Sequence, residues 1–358
     1  MKLGILGGGQ LAQMLTRAAH TLGIQTICFD PNPEACAQDV TTVISAMFSD
    51  TGALEEFLLG LNCVTLETEN IPLACAQFVA EKQAFFPALK ALEIMQDRLH
   101  EKKLFQKLQI PTPIFVPVNF EEECNEAVSK TGYPAVLKTR RFGYDGKGQV
   151  MIKNKSDVLA GWDKLQSSSL ILEQFIPFQY EVSLISVRDQ KGEILFYPLT
   201  KNKHESGILQ YSEAPFVNTT LQQEAEKYAT KILNELQYVG VLTIEFFYDG
   251  THLIANEMAP RVHNSGHWTI EGAKTSQFEN HVRAICGLPL GSTQAIGYSL
   301  MLNMLSEIID PRLGAEFPGV YYHHYGKQPR PNRKLGHITL VDTDFRQYEK
   351  IKARLLYR

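Results

Sequence analysis

No stretch of the 358-residue chain approaches the roughly 20 consecutive apolar residues that span a bilayer as a helix. An excess of one sign of charge is also missing. Lys and Arg total 35 against 39 Asp and Glu, a net charge of −4, which does not describe a nucleic-acid-binding surface. Charged residues make up 21% and hydrophobic ones 44%, so the chain is not disordered and has ample material for a core. Its six cysteines, Cys28, Cys36, Cys63, Cys75, Cys124 and Cys286, include no Cys-x-x-Cys pair. A disulfide scaffold and a structural zinc site are therefore not expected, whereas reduced, partly buried thiols are. The N-terminus enters a glycine cluster within six residues and offers no secretory signal, so a cytoplasmic location is expected. Internal repeats and low-complexity segments are absent, and the length corresponds to two or three domains.

What the chain does have is a change of rhythm. Over the first ninety residues, short apolar runs at 2–6, 25–30, 40–45 and 63–66 alternate with helical spacing at 10–22, 52–59 and 73–81. That alternation predicts a doubly wound parallel sheet, with ligands at the carboxyl ends of its strands. Pro111 and Pro113 open a smaller region of strands at 114–116, 135–139 and 149–152 and helices at 121–131 and 156–165. Beyond residue 170 the pattern turns antiparallel. It includes a helix over 220–236, opened by a Thr220-x-x-Gln223 capping box, and a hairpin around Asp249-Gly250. The division that follows is 1–97, 98–172 and 173–358.

Gly7-Gly8-Gly9-Gln10-Leu11-Ala12 lies between a strand and a helix and satisfies G-x-G-x-x-A, with Asp30 about twenty residues on. Three readings remain open for it. It is a dinucleotide fingerprint of an NAD-dependent oxidoreductase, a plain tight turn, or a helix N-terminus that holds another anion such as a sugar phosphate. The run from Arg140 to Gly148 has three glycines in six residues and follows Lys138. A loop of this kind can fold over a polyphosphate with backbone N–H groups and cations, and an ordinary flexible hairpin is the alternative reading.

Glu245 and Glu257 stand on the two arms of the predicted hairpin, each in an apolar strand. Buried carboxylates are costly alone, but a pair on facing strands suits a hard divalent cation, and Mg²⁺ takes one or two carboxylates plus substrate phosphates. A two-residue turn would put the two acids on opposite faces. The shared site therefore requires an odd loop or a bulge, and the expectation is a three-residue loop, 248–250, with Gly250 at positive φ.

Together these stretches resemble the ATP-grasp superfamily and, more narrowly, the N5-carboxyaminoimidazole ribonucleotide synthetase family. The likeness rests on Gly7–Leu11, Asp97-Arg98, Gly143–Gln149, Glu173-Gln174, the run Asn256-Glu257-Met258-Ala259-Pro260-Arg261-Val262-His263-Asn264-Ser265-Gly266-His267-Trp268, and Arg330-Pro331-Asn332-Arg333-Lys334. Where the family has Gly, this chain has Asn332, which also enters left-handed turns. The resemblance implies an ATP-grasp fold with a Rossmann-like N-terminal domain. It also implies a cytoplasmic, homodimeric ligase that uses ATP and Mg²⁺ to carboxylate aminoimidazole ribonucleotide with bicarbonate through carboxyphosphate.

It further implies an ATP site of Arg98, Lys138, Gly143, Tyr144, Asp145, Gly146, Lys147, Gly148, Gln149, Glu173, Gln174, Phe175, Ile176, Glu181, His204, Asn256 and Glu257. Within it, residues 173–176 meet adenine and Glu181 meets ribose. Glu245 and Glu257 hold the metal. Asp145, Arg261 and Lys327 are the catalytic candidates, with Asp145 handling the amine proton. Gln10, Tyr144, Asn264, Lys327, Arg330, Arg333 and Lys334 are the substrate contacts. A formate-dependent ATP-grasp ligase on a related ribonucleotide is the alternative within the superfamily, and an NAD-dependent oxidoreductase is the alternative outside it.

Overall fold

Short apolar runs separated by amphipathic helices give the start of the chain its parallel sheet. In the computed structural model, which describes residues 1–143, 146–165, 169–312 and 316–357, five strands form it. These are β1 (Lys2–Leu6), β2 (Gln25–Phe29), β3 (Thr42–Ile44), β4 (Cys63–Leu66) and β5 (Phe85–Phe86), in the order β3-β2-β1-β4-β5, all parallel. The order reverses between β1 and β4, which opens a crevice beyond their carboxyl ends. The helix Gln10–Thr21 buries Leu11, Met14, Leu15 and Ala19. They join a core that continues into Phe278 and Val282 of the helix Gln277–Ile285. The N-terminal sheet is thereby fused to the centre of the molecule by apolar packing.

A second sheet contains β6 (Phe115–Val118), β7 (Ala135–Thr139), β8 (Gln149–Ile152) and β9 (Leu170–Gln174), antiparallel in the order β6-β9-β7-β8. It has a small core of its own, around Val118, Ala127, Leu137, Ile152 and Leu172.

The third and largest sheet holds β10 (Tyr180–Arg188), β11 (Ile194–Phe196), β12 (Thr200–Glu205), β13 (Ile208–Ala214), β14 (Gly240–Tyr248), β15 (Leu253–Ala259), β16 (Tyr298–Leu305), β17 (Val320–His324) and β18 (Lys334–Asp342). Its order is β15-β14-β10-β12-β13-β16-β18-β17, with β11 beside β10, and β15 forms one edge. The helix Phe345–Leu356 packs Tyr348, Ile351 and Leu355 against β16 and β18.

Two local expectations are corrected. The long helix spans Thr219–Glu235, and its cap is Asn218, whose side chain accepts from Leu221 N. Thr220 is already inside the helix, because Asn is at least as good a cap as Thr and stands where the chain is still extended.

The β14–β15 loop is not three residues long. Tyr248 pairs with Leu253, leaving four residues, 249–252, and the register then slips so that Glu245 pairs directly with Glu257 while Phe246 pairs with Ala255. Asn256 is the extra residue. The bulge, rather than loop length, restores the parity that puts both acids on one face. Gly250 does have the expected positive φ, +105°.

Candidate active site

Two cavities lie between the three sheets and share a wall. One, of about 480 Å³, runs between the small sheet and the β10–β15 edge of the large one. The other, of about 300 Å³, opens toward the carboxyl ends of β1 and β4. Arg98, His204, Gly207, Glu245 and Glu257 line both.

The larger cavity gathers most of the residues expected around a nucleotide: Arg98, Lys138, Gly146, Lys147, Gln149, Glu173, Gln174, Phe175, Ile176, Glu181, His204, Asn256 and Glu257. Gly143 lines the smaller cavity, and Gly148 lines neither. Tyr144 and Asp145 lie outside the described residues. Val136, Met151, Phe178 and Phe247 add apolar walls, and the two phenylalanine rings stack at 4.8 Å. These four were missed in the sequence, where a hydrophobic residue looks the same whether it faces a core or a cavity.

Polar side chains fix the cavity's geometry. Glu173 is 2% exposed, and its carboxylate accepts from Lys138 at 2.8 Å and lies 3.5 Å from the Lys102 ammonium. Burial pushes its pKa up, but the two lysines outweigh that and hold it at about 2. The Glu173 carboxylate is thus committed to these lysines, and the N–H groups of Gln174 and Phe175 that follow it donate to the carbonyls of Ile114 and Pro134. Arg98 donates to the carbonyls of Thr139 (3.0 Å) and Gly143 (3.3 Å) and lies 3.7 Å from Glu257. Glu245 faces His263 at 3.1 Å. Burial raises its pKa, yet His263, His204 and Lys334 bring it below the usual carboxylate range.

Ser265 N donates to His263 Nδ1. Glu245 and Glu257, directly opposed on one ribbon face, form a donor set of hard oxygens that fits a magnesium ion. Among the described residues no group of three or more metal-ligating side chains converges, so most of such an ion's shell would come from phosphate and water oxygens.

His204 Nδ1 lies 3.0 Å from Glu181. Burial pushes the imidazole down, but the Glu181 hydrogen bond and the charges of Glu245, Glu181 and Glu257 draw it above its ordinary 6.5. With the native pKa raised, the pair's contribution to stability is complete below about pH 6.5 and fades as pH rises through the native value. An NMR titration of the His204 ring is expected to give a midpoint above 6.5 that falls in Glu181→Gln. A parent midpoint below 6.5 contradicts the pairing.

The smaller cavity is lined by Gln10, Arg261, Asn264 and Lys334, and also by Glu67, Glu69, Glu101 and Arg140, which the sequence did not single out. Arg261 grips Glu69 with a two-pronged contact, the Nη2–Oε1 arm at 3.0 Å. Arg140 does the same to Asp97 at 2.9 and 2.6 Å. Asn264 exchanges two side-chain hydrogen bonds with Asn303, at 3.0 and 2.7 Å. Lys327 donates to Gln10 Oε1, and burial draws its ammonium below the usual lysine range. Arg333 donates to the Gln328 carbonyl. Arg330 is exposed and lines neither cavity. Asn332 has φ +59°, the left-handed turn foreseen for it.

The glycine cluster has a different job from a dinucleotide loop. Gly9 N and Ala12 N donate to Glu67 at 2.7 and 3.1 Å, and Gly8 N donates to Asp30 at 2.6 Å. A Cβ on Gly9 would lie 2.6 Å from Glu67 Oε1. These glycines make room for the protein's own carboxylate at the helix N-terminus. Asp30 is bound to the loop, and Gln10 and Leu11 are the residues of this turn that line the cavity.

The cysteines are free, and four of the six are buried. Burial pushes Cys36 and Cys75 up to about 11, far from thiolate formation at neutral pH.

Three family models cover the chain: a ribonucleotide synthetase preATP-grasp domain over 1–96, an ATP-grasp domain over 103–278, and a phosphoribosylaminoimidazole carboxylase C-terminal domain over 299–351. The chain is 46% identical over 344 residues to the N5-carboxyaminoimidazole ribonucleotide synthase of Pseudomonas aeruginosa, covering 96% of this chain and 95% of that one. The crystal structure of N5-carboxyaminoimidazole ribonucleotide synthetase from Thermus thermophilus superimposes with a TM-score of 0.95 at 48% identity, covering 99% and 97% of the two chains. A synthase from Aspergillus clavatus, in complex with ADP and 5-aminoimidazole ribonucleotide, gives 0.91 at 28% identity, covering 99% and 97%.

Proposed function

The chain belongs to the N5-carboxyaminoimidazole ribonucleotide synthase family of ATP-grasp ligases, and from that premise we propose which of its residues carry the reaction. It is an ATP-dependent carbon–nitrogen ligase that converts 5-aminoimidazole ribonucleotide to N5-carboxyaminoimidazole ribonucleotide in purine biosynthesis. The observation that carries the residue assignment is the wall shared by the two cavities, where Glu245, Glu257, Arg98 and His204 stand between a nucleotide-sized space and a polar one.

In this reading ATP occupies the 480 Å³ cavity. Its base lies among Val136, Met151, Phe178 and Phe247 against the backbone of residues 173–176, with the ribose at Glu181 and the phosphates toward Lys138 and Lys147. Glu245 and Glu257 hold Mg²⁺, which when bound neutralises phosphate charge and aligns the transferring group.

A bicarbonate oxygen attacks the γ-phosphorus, ADP departs, and carboxyphosphate forms. The ribonucleotide's exocyclic amine then takes the carboxyl carbon, phosphate leaves, and the amine gives up a proton. Arg261 faces the carboxyphosphate, held in orientation by Glu69. Asp145 in the glycine-rich loop takes the amine proton. Asn264, Gln10 and Tyr144 contact the ribonucleotide, and Lys327, Arg333 and Lys334 supply the positive charge for its 5′-phosphate, with Arg330 outside both cavities. The units 1–97, 98–172 and 173–358 then serve as substrate floor, nucleotide lid and catalytic platform, in an enzyme we place in the cytoplasm as a homodimer.

ATP cleavage is expected to rise only when aminoimidazole ribonucleotide and bicarbonate are both supplied, and formate is expected not to replace bicarbonate. A response to formate in bicarbonate-free buffer, or no response to the pair, contradicts the assignment.

The lid also has a steric requirement. Gly207, at φ +79°, would put a Cβ 2.5 Å from the Gly146 Cα, so the glycine-rich loop rests on the turn between β12 and β13 only where both residues lack side chains. Gly207→Val is expected to weaken ATP binding about tenfold, for strain on the order of 1–2 kcal/mol. An unchanged KM for ATP counts against that seating.

A further inference from the structure

The geometry points to Glu101 and Lys102 as positioning residues of the nucleotide site: neighbours on one helix, they clamp the edge strand on both sides of Glu257 and hold the bulge that turns it toward Glu245. The inference rests on the metal-binding reading of those two acids.

β15 is an edge strand, so every second residue turns its N–H and C=O away from the sheet, and buried groups of this kind need partners. At the bulge two of these partners are buried ionisable side chains, a donor set against carbonyls and an acceptor set against an N–H; Thr112 Oγ1 also donates to the Ala255 carbonyl, at 2.9 Å. The Lys102 ammonium donates to the Asn256 carbonyl at 2.6 Å and reaches the Ala255 carbonyl at 3.4 Å. The Glu101 carboxylate accepts from Met258 N. The residue between these anchor points is Glu257. Both come from the helix Arg98–Lys107, whose first residue lies 3.7 Å from the Glu257 carboxylate.

Lys102 is 0% exposed and Glu101 3%. Covering an edge strand requires no buried charge, and an apolar helix face would avoid the desolvation cost. What a buried donor and a buried acceptor provide and an apolar face does not is a fixed register at two backbone groups. Lys102 also reaches across to Glu173, at 3.5 Å, the same carboxylate that holds Lys138 at 2.8 Å. One ammonium thus sets the strand bearing Glu257 against the lysine directed at the phosphates. Loss of the clamp should leave a folded protein whose carboxylates no longer converge.

The test compares Glu101→Leu, Glu101→Gln and Lys102→Met with the parent, all checked for native circular dichroism. ADP affinity is measured by calorimetry with and without Mg²⁺, and amide exchange over 253–259 is measured with neither present. In Glu101→Leu and Lys102→Met the gain in ADP affinity due to Mg²⁺ is expected to shrink by about tenfold or more, the scale of losing a group that orients metal ligands. The Met258 amide should exchange faster in both. Glu101→Gln keeps a carbonyl acceptor and should stay within about threefold of the parent.

If one disruptive variant is not recovered folded, the other decides by the same criteria. A Mg²⁺ gain within about twofold of the parent in the folded variants overturns the inference. Glu257→Ala, run alongside, separates the two failures. If it keeps the Mg²⁺ gain, the metal reading falls. If it loses the gain while the clamp variants keep it, only the clamp falls.

Discussion

Glu257→Ala is expected to lower ribonucleotide-dependent ATP turnover by roughly 10²- to 10³-fold, the scale on which removing one preorganised electrostatic partner slows a charge-developing step, and to leave the fold intact. The two halves of that expectation have separate causes. The Glu257 side chain is 44% exposed, and Arg98 lies 3.7 Å from its carboxylate, so truncation forfeits no more than about 1 kcal/mol of ion pairing. Its functional weight comes from register, because it stands directly opposite Glu245 on the face shared by both cavities. Glu245 is the less informative position to mutate. It is tied to His263 at 3.1 Å, and its removal would mix a packing defect with a binding defect. Turnover in Glu257→Ala within about tenfold of the parent, at unchanged circular dichroism, contradicts a metal role.

Arg261→Met is expected to lose both activity and stability, and a second substitution should separate the two. Arg261 and Glu69 are 19% and 24% exposed, so removing the guanidinium leaves a largely buried carboxylate without its partner. That costs about 2–4 kcal/mol once the residual exposure is allowed for. Burial pushes Glu69 up, but Arg261 draws it below the usual carboxylate range. The parent pair therefore contributes stability above the unfolded carboxylate value near pH 4.3, and loses it as pH falls through the lower native value. Adding Glu69→Gln to Arg261→Met removes the stranded charge and should recover a good part of the thermal midpoint. Activity should not return, because the guanidinium proposed to face the carboxyphosphate is still missing. A double variant that regains turnover along with stability would reduce Arg261 to a structural brace.

Much of this arrangement is legible in the sequence because it is written in local patterns. The alternation of strand and helix over the first ninety residues gives the parallel sheet. Lys138, Gly146 and Lys147 of the glycine-rich region and the two acids of the hairpin, singled out by local pattern, line one cavity. The rest is less legible because it depends on partners far along the chain. The helix Arg98–Lys107 turns Glu101 and Lys102 inward, toward strand atoms more than 150 residues away, so it shows no apolar stripe to find. Glu67 caps the first helix from the end of β4, 55 residues beyond Ala12, and the glycines that admit it imitate a dinucleotide loop. The bulge at Asn256 satisfies the parity that a three-residue loop would also have satisfied. Side-chain pattern constrains which face a residue occupies, and several backbone paths lead to the same face.

Anomalous diffraction from crystals grown with Mn²⁺ in place of Mg²⁺ and with ADP bears most directly on the paired carboxylates. A metal peak bonded at about 2.1 Å to an oxygen of Glu245 and to one of Glu257, with the nucleotide's phosphates completing the shell, is the expected result. Metal and phosphates seated together with neither carboxylate in contact would contradict it.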